Sequence, residues 1–179
     1  MNKITQSHSL RPHWRGISVL ISTLTLSALM SFQAAGFEGK SSGWNGYTKT
    51  DFTVDGRPCY VVEPKSAAPG KPWVWRATFL DYHPEVDFLL LADGYHIAFM
   101  NCDSMLGSPT ALKRWEAFYR EMTEKNGLHW KVVLEEVSRG GLFVYRWAGN
   151  PPDTVACIYN DVPVCEFKSW PDGKGLSKL

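Results

Sequence analysis

Apolar positions fall in short blocks, and the spacing inside each block predicts the element it forms. Asp51-Phe52-Thr53-Val54, Asp55-Gly56 and Arg57-Pro58-Cys59-Tyr60-Val61-Val62-Glu63 read as two strands joined by an Asp-Gly hairpin turn. Pro58 suits an edge position. Pro64 to Pro72 is a loop, and Trp73 to Phe79 is a third strand broken at Asp81-Tyr82-His83-Pro84. Pro84 to Asp93 predicts a helix, with proline at its start, acids in its first turn and Gly94 as its stop. His96 to Asn101 is a buried strand and Cys102 to Ser108 a loop. Leu112, Trp115, Phe118, Tyr119 and Met122 recur at three-four spacing and put one apolar stripe on a helix from Thr110 to Lys125, ended by Asn126-Gly127. Trp130 to Val137 is a strand, a helix follows Ser138 as far as Gly149, and Thr154 to Asn160 is a last strand. Gly36 to Lys49 is polar and Gly/Ser-rich and reads as an exposed lead-in; Phe167 to Leu179 has no periodic apolar pattern.

A hairpin followed by alternating strands and helices predicts an α/β domain with a mostly parallel sheet covered on both faces. The first residues predict an export signal: Lys3, Arg11 and Arg15 precede an apolar run from Ile17 to Phe32, and Ala34-Ala35-Gly36 offers a cleavage site. The same run also fits an uncleaved anchor at the short edge of membrane-spanning length. The resulting division is a signal over 1–36, a lead-in over 37–50 and a domain over 51–179.

Composition narrows the function classes. Lys+Arg 19 against Asp+Glu 18 leaves no electrostatic footprint for nucleic acid. Export would permit disulfides, but Cys59, Cys102, Cys157 and Cys165 allow three pairings or buried free thiols, and their spacing fits no zinc template. There is no phosphate-cradling glycine loop, so no nucleotide cofactor is expected, and no metal.

The chemistry concentrates at Ser138-Arg139-Gly140-Gly141. A serine on a sharp strand-to-helix turn is lifted out at the carboxyl edge of a sheet, where the next backbone N–H can stabilise an oxyanion. A serine there can also simply cap the helix. The usual pattern is Gly-x-Ser-x-Gly, and Glu136 takes the first glycine position. Its side chain is expected to strain the turn or to push outwards to water.

From about Asp51 to Gly175 the order of elements resembles the α/β-hydrolase fold. Lys71-Pro72-Trp73-Val74-Trp75-Arg76, Ser138-Arg139-Gly140-Gly141-Leu142, Ala156-Cys157-Ile158-Tyr159, Pro163-Val164-Cys165 and Lys168-Ser169-Trp170-Pro171 are similar to a group of secreted bacterial α/β hydrolases often compared with esterases and dienelactone hydrolases. The resemblance implies a three-layer α/β sandwich with an N-terminal antiparallel hairpin, lacking the C-terminal strands. It implies a serine hydrolase acting on a small ester or carbohydrate ester, with Ser138 as nucleophile and the N–H of Arg139 as one oxyanion donor. The second donor would lie near Arg76 or Ala77.

That family carries its triad in the order serine, acid, histidine. His8, His13, His83, His96 and His129 all precede Ser138. Three explanations stand: a truncated reading frame, a non-catalytic relative, or an upstream histidine in the base role, with His83 the candidate. Asp161 and Asp103 are candidate acids on the same rim. The rival reading is a non-catalytic module that holds carbohydrate in a cleft rimmed by Trp73, Trp75 and Trp170.

Overall fold

The computed structural model describes residues 36–150 and 152–166. The segment expected to be an export signal, Pro151, the tail from Phe167 and with it Trp170 lie outside the described residues. The sheet and its helices form one compact unit.

Seven strands form one sheet: β1 (Lys40–Trp44), β2 (Tyr47–Val54), β3 (Arg57–Glu63), β4 (Trp73–Arg76), β5 (His96–Met100), β6 (Val132–Val137) and β7 (Val155–Asp161), in the order β1-β2-β3-β5-β4-β6-β7. The helices are α1 (Glu85–Ala92), α2 (Pro109–Arg120), continued by a wider turn over Glu121–Lys125, and α3 (Gly141–Ala148). The sheet is mixed. β1, β2, β3 and β5 run antiparallel to their neighbours in turn, while β5, β4, β6 and β7 are parallel. The expected parallel arrangement therefore holds for the half that carries the site.

Residues 37–50 are not a plain lead-in. They supply β1 and the start of β2, joined at Asn45-Gly46 with φ of 47° and 83°. Asp55-Gly56 repeats that geometry at 50° and 73°. Both turns need positive φ at two successive residues, which Asn-Gly and Asp-Gly tolerate best. The Gly/Ser content of β1 hid it, because an exposed edge strand carries little apolar signal.

Alternation along β4 sorts the core. Trp73 and Trp75 face α2 and α3 in a cluster with Trp115, Phe118, Phe143 and Trp147, while Val74 faces the opposite side with Leu91, Ile97 and Val62. Trp75 and Trp115 stack with ring centroids 4.1 Å apart. Trp73 and Trp75 are both 0% exposed, so they fill the core and cannot rim a cleft. α2 starts at a Ser108 cap whose hydroxyl accepts from the Ala111 N–H at 3.2 Å, with Pro109 in the first turn. Among the described residues β7 pairs only with β6, so its outer edge is open.

Candidate active site

The parallel strands β4, β6 and β7 end side by side, and Ser138 stands directly after the middle one. Val137 is still extended (φ −132°), Ser138 turns to φ +56°, and a short 3₁₀ turn over Ser138–Gly140 leads into α3. A positive φ at serine is sparsely populated and needs its surroundings to hold it. The neighbours on both sides do so. Thr78, just beyond β4, donates its hydroxyl to the Val137 carbonyl at 3.2 Å, and the Val164 N–H, beyond β7, donates to the Ser138 carbonyl at 2.7 Å.

The two glycines are required by close approach. A Cβ on Gly140 would lie 2.9 Å from the Cβ of Glu136 and 3.2 Å from that of Ala77; on Gly141 it would lie 2.5 Å from the Val164 carbonyl oxygen. Both have ordinary helical φ, near −55°, so space and not backbone freedom selects glycine.

Glu136 does not push outwards. It is 1% exposed, packed against the underside of the turn, and neither carboxylate oxygen has a hydrogen-bond partner. Burial pushes its pKa up to about 7; the nearby Gly141 N–H draws it down and Asp161 pushes it up again. The side chain turns inward because residues 132, 134 and 136 share the face that packs under α3.

Arg76 and Ala77 do not serve as expected. The Ala77 N–H already donates to the Glu135 carbonyl at 2.9 Å, and Arg76 lies within the ladder between β5 and β6. Beyond them, the N–H groups of Phe79 and Leu80 donate to no backbone carbonyl among the described residues, and Phe79 sits at φ +50°. The Arg76 side chain has another task. It is buried on the α1 side, ion-paired with Asp87, 3.6 Å from Glu135, and donates to the Tyr82 carbonyl at 2.8 Å. One guanidinium serves two acids. Burial and then Asp87 push Glu135 up to about 8, and burial also raises Asp87. Both acids are thus harder to ionise in the fold than in water. Alternation places Arg76 and Glu135 on one face of adjacent strands, a signal present in the sequence that only the pairing of β4 with β6 makes readable.

The guanidinium of Arg139 lies over the Phe79 ring, 4.8 Å from its centroid, and reaches Asp103 at 3.4 Å. Asp161 ends β7 opposite Val137. His83 is exposed, with Nδ1 3.8 Å from Glu85 and its ring 4.4 Å from that of Tyr82. No hydrogen bond joins it to Ser138 among the described residues; its ring meets Tyr82, Tyr82 meets Phe79, and Phe79 meets the Arg139 guanidinium. His96 opens β5 and His129 precedes β6, both at the amino end of the parallel strands and away from Ser138. No cluster of three or more His, Cys, Asp or Glu able to hold a metal occurs among the described residues.

No family model matches the chain, and no curated protein matches it. Solved structures do. The native structure of a cold-adapted esterase from an Arctic intertidal metagenomic library superposes with a TM-score of 0.52 at 15% identity, over 68% of this chain and 61% of that one. Its polyethylene-glycol-bound complex gives 0.51 at 14%, over 69% and 64%. The chain has the α/β-hydrolase fold. The part matched is less than two thirds of the esterase's length. In the α/β-hydrolase fold the strand before the elbow carries the nucleophile and the loop after its neighbour the second oxyanion donor. In this chain Ser138 directly follows β6, and the segment from Thr78 to Leu80 follows β4 beside it.

Proposed function

We propose that this domain is a serine hydrolase of α/β type, exported by its N-terminal segment, that forms an acyl-enzyme at Ser138 from a small ester or carbohydrate ester. The observation that carries the reading is the backbone of Ser138: φ +56° between an extended strand and a helix, at the carboxyl edge and fixed by hydrogen bonds from Thr78 and Val164. In the step proposed, the Ser138 hydroxyl oxygen bonds to the ester carbonyl carbon. The carbonyl electrons move onto oxygen and are stabilised by the Arg139 N–H and by the free amides after Ala77. Collapse then expels the alcohol, which takes the serine proton.

All five histidines of these 179 residues precede Ser138, and among the described residues His83 makes no hydrogen bond to it, so these residues by themselves supply Ser138 with no base. A serine without a base is a poor nucleophile at neutral pH. Turnover is therefore expected to be slow, of the order of the ~10³–10⁴-fold over water that oxyanion stabilisation and binding supply when a triad member is missing. The glycan-binding alternative loses two of its tryptophans to the core. The test is stoichiometric labelling by a fluorophosphonate, located by peptide mass spectrometry. Ser138 should carry the label and Ser138→Ala should lose it; labelling elsewhere, or equal labelling of the variant, overturns the reading.

A further inference from the structure

The loops on either side of Ser138 expose large apolar side chains. Phe79 lies three residues beyond β4 and is 36% exposed; Tyr82 follows at 50%; Val162, the first residue after β7, is 73% exposed. Strand order places β4 and β7 on the two sides of β6, so these residues flank Ser138 from both directions. Phe79 and Val162 hold φ of 50° and 46°, a region unfavourable for bulky and β-branched residues. The fold thus keeps apolar groups in water on a strained backbone at the one edge where its chemistry would occur. Such departures concentrate at binding sites.

The rings are already ordered. Tyr82 meets Phe79 edge-on, with centroids 6.3 Å apart and planes at 61°, and His83 meets Tyr82 at 4.4 Å and 89°. The Arg139 guanidinium holds Phe79 at 4.8 Å and is tied to Asp103. A flat ring gains from such a corner through edge-to-face contact, and a saturated ring of the same size does not.

We propose that Phe79 and Tyr82 form an aryl platform beside Ser138, and that the esters this site prefers carry an aromatic ring next to the carbonyl. The proposal rests on the reading of Ser138 as the acylated residue, but its test does not need the serine to react. Methyl benzoate and methyl cyclohexanecarboxylate, alike in size and ester group, are titrated into the full chain and followed by ligand-observed NMR. Methyl benzoate should bind about three- to tenfold more tightly, the range expected of one edge-to-face contact. Phe79→Leu and Tyr82→Leu should each bring the two affinities together. Phe79→Tyr, which keeps the ring, should retain the preference, as should Leu89→Ala at an exposed position on α1. Urea midpoints confirm that each variant is folded. Equal affinities in the parent, or a preference that survives both leucine variants, overturn the platform. Ser138→Ala should keep the preference. A preference found without fluorophosphonate labelling sinks the nucleophile and leaves the platform standing; labelling without a preference does the reverse.

Discussion

Replacing Glu136 by glutamine isolates the cost of a buried charge under the elbow. The carboxyl is packed away from water with no hydrogen-bond partner for either oxygen, and its pKa rises from 4.5 to about 7. A raised carboxyl pKa means that the folded state holds the proton more tightly than the unfolded chain. Between pH 4.5 and 7 the fold therefore binds more protons, and stability falls as pH rises. Below 4.5 both states are protonated and the penalty is absent; above 7 it is constant. At about 1.4 kcal/mol per pH unit between the two values, the penalty is on the order of 3 kcal/mol. The glutamine amide keeps the shape of the carboxyl and has no charge to bury. With a urea m-value of about 2 kcal/mol/M, Glu136→Gln should raise the midpoint by about 1.5 M at pH 8 and by almost nothing at pH 4. The assay is urea unfolding of parent and variant at half-unit steps from pH 4 to 8.5, read by tryptophan fluorescence. Other titrating groups, His96, Glu135 and Asp87 among them, act equally in both proteins and drop out of the difference. A difference that does not change with pH would refute the reasoning. Glu136→Gly should follow the same pH trend with a smaller gain, because it also leaves a void.

Three further perturbations test other parts of the fold. His96 is buried and its pKa is lowered to about 4, so stability rises with pH between about 4 and 6.5; His96→Gln should flatten that limb in acid urea titrations. Arg76→Met removes the cation between Asp87 and Glu135 and should cost roughly 3–5 kcal/mol at pH 8, with Glu135→Gln in the same chain restoring part of it. Gly141→Ala puts a methyl 2.5 Å from the Val164 carbonyl and should lower stability by about 1–3 kcal/mol in urea unfolding, whereas Tyr159→Ala on the open edge should stay within about 0.5 kcal/mol.

Much of the architecture was legible because long apolar stripes and turn dipeptides are local signals. The stripe of Trp115, Phe118 and Met122, the Asp55-Gly56 turn and the strand before Ser138 needed no knowledge of their neighbours. What escaped depended on pairing. The rival reading puts Trp73 and Trp75 on the rim of a cleft; β4 lies in mid-sheet, with helices against the face they share, and buries both. Ala77 read as a free donor until Glu135 was seen to accept from it. Glu136 is expected to strain the turn or to reach water, because the sequence does not say that its face of β6 is roofed by α3. The position of Ser138 was local and readable; the surroundings that hold it are contributed by residues as far away as Thr78 and Val164.

The bond from the Val164 N–H to the Ser138 carbonyl also sets an order of assembly. On the ribosome the chain emerges from its amino end, so β6 and α3 are available well before the segment beyond β7. Until Val164 leaves the exit tunnel, the Ser138 carbonyl lacks its partner on that side, and of the two bonds from neighbouring strands only that from Thr78 to the Val137 carbonyl opposes relaxation out of positive φ. The residue with the strained backbone is thus fixed late, by a stretch that follows it by 26 positions. A released chain ending before Pro163 should carry the sheet and an elbow held only from the Thr78 side.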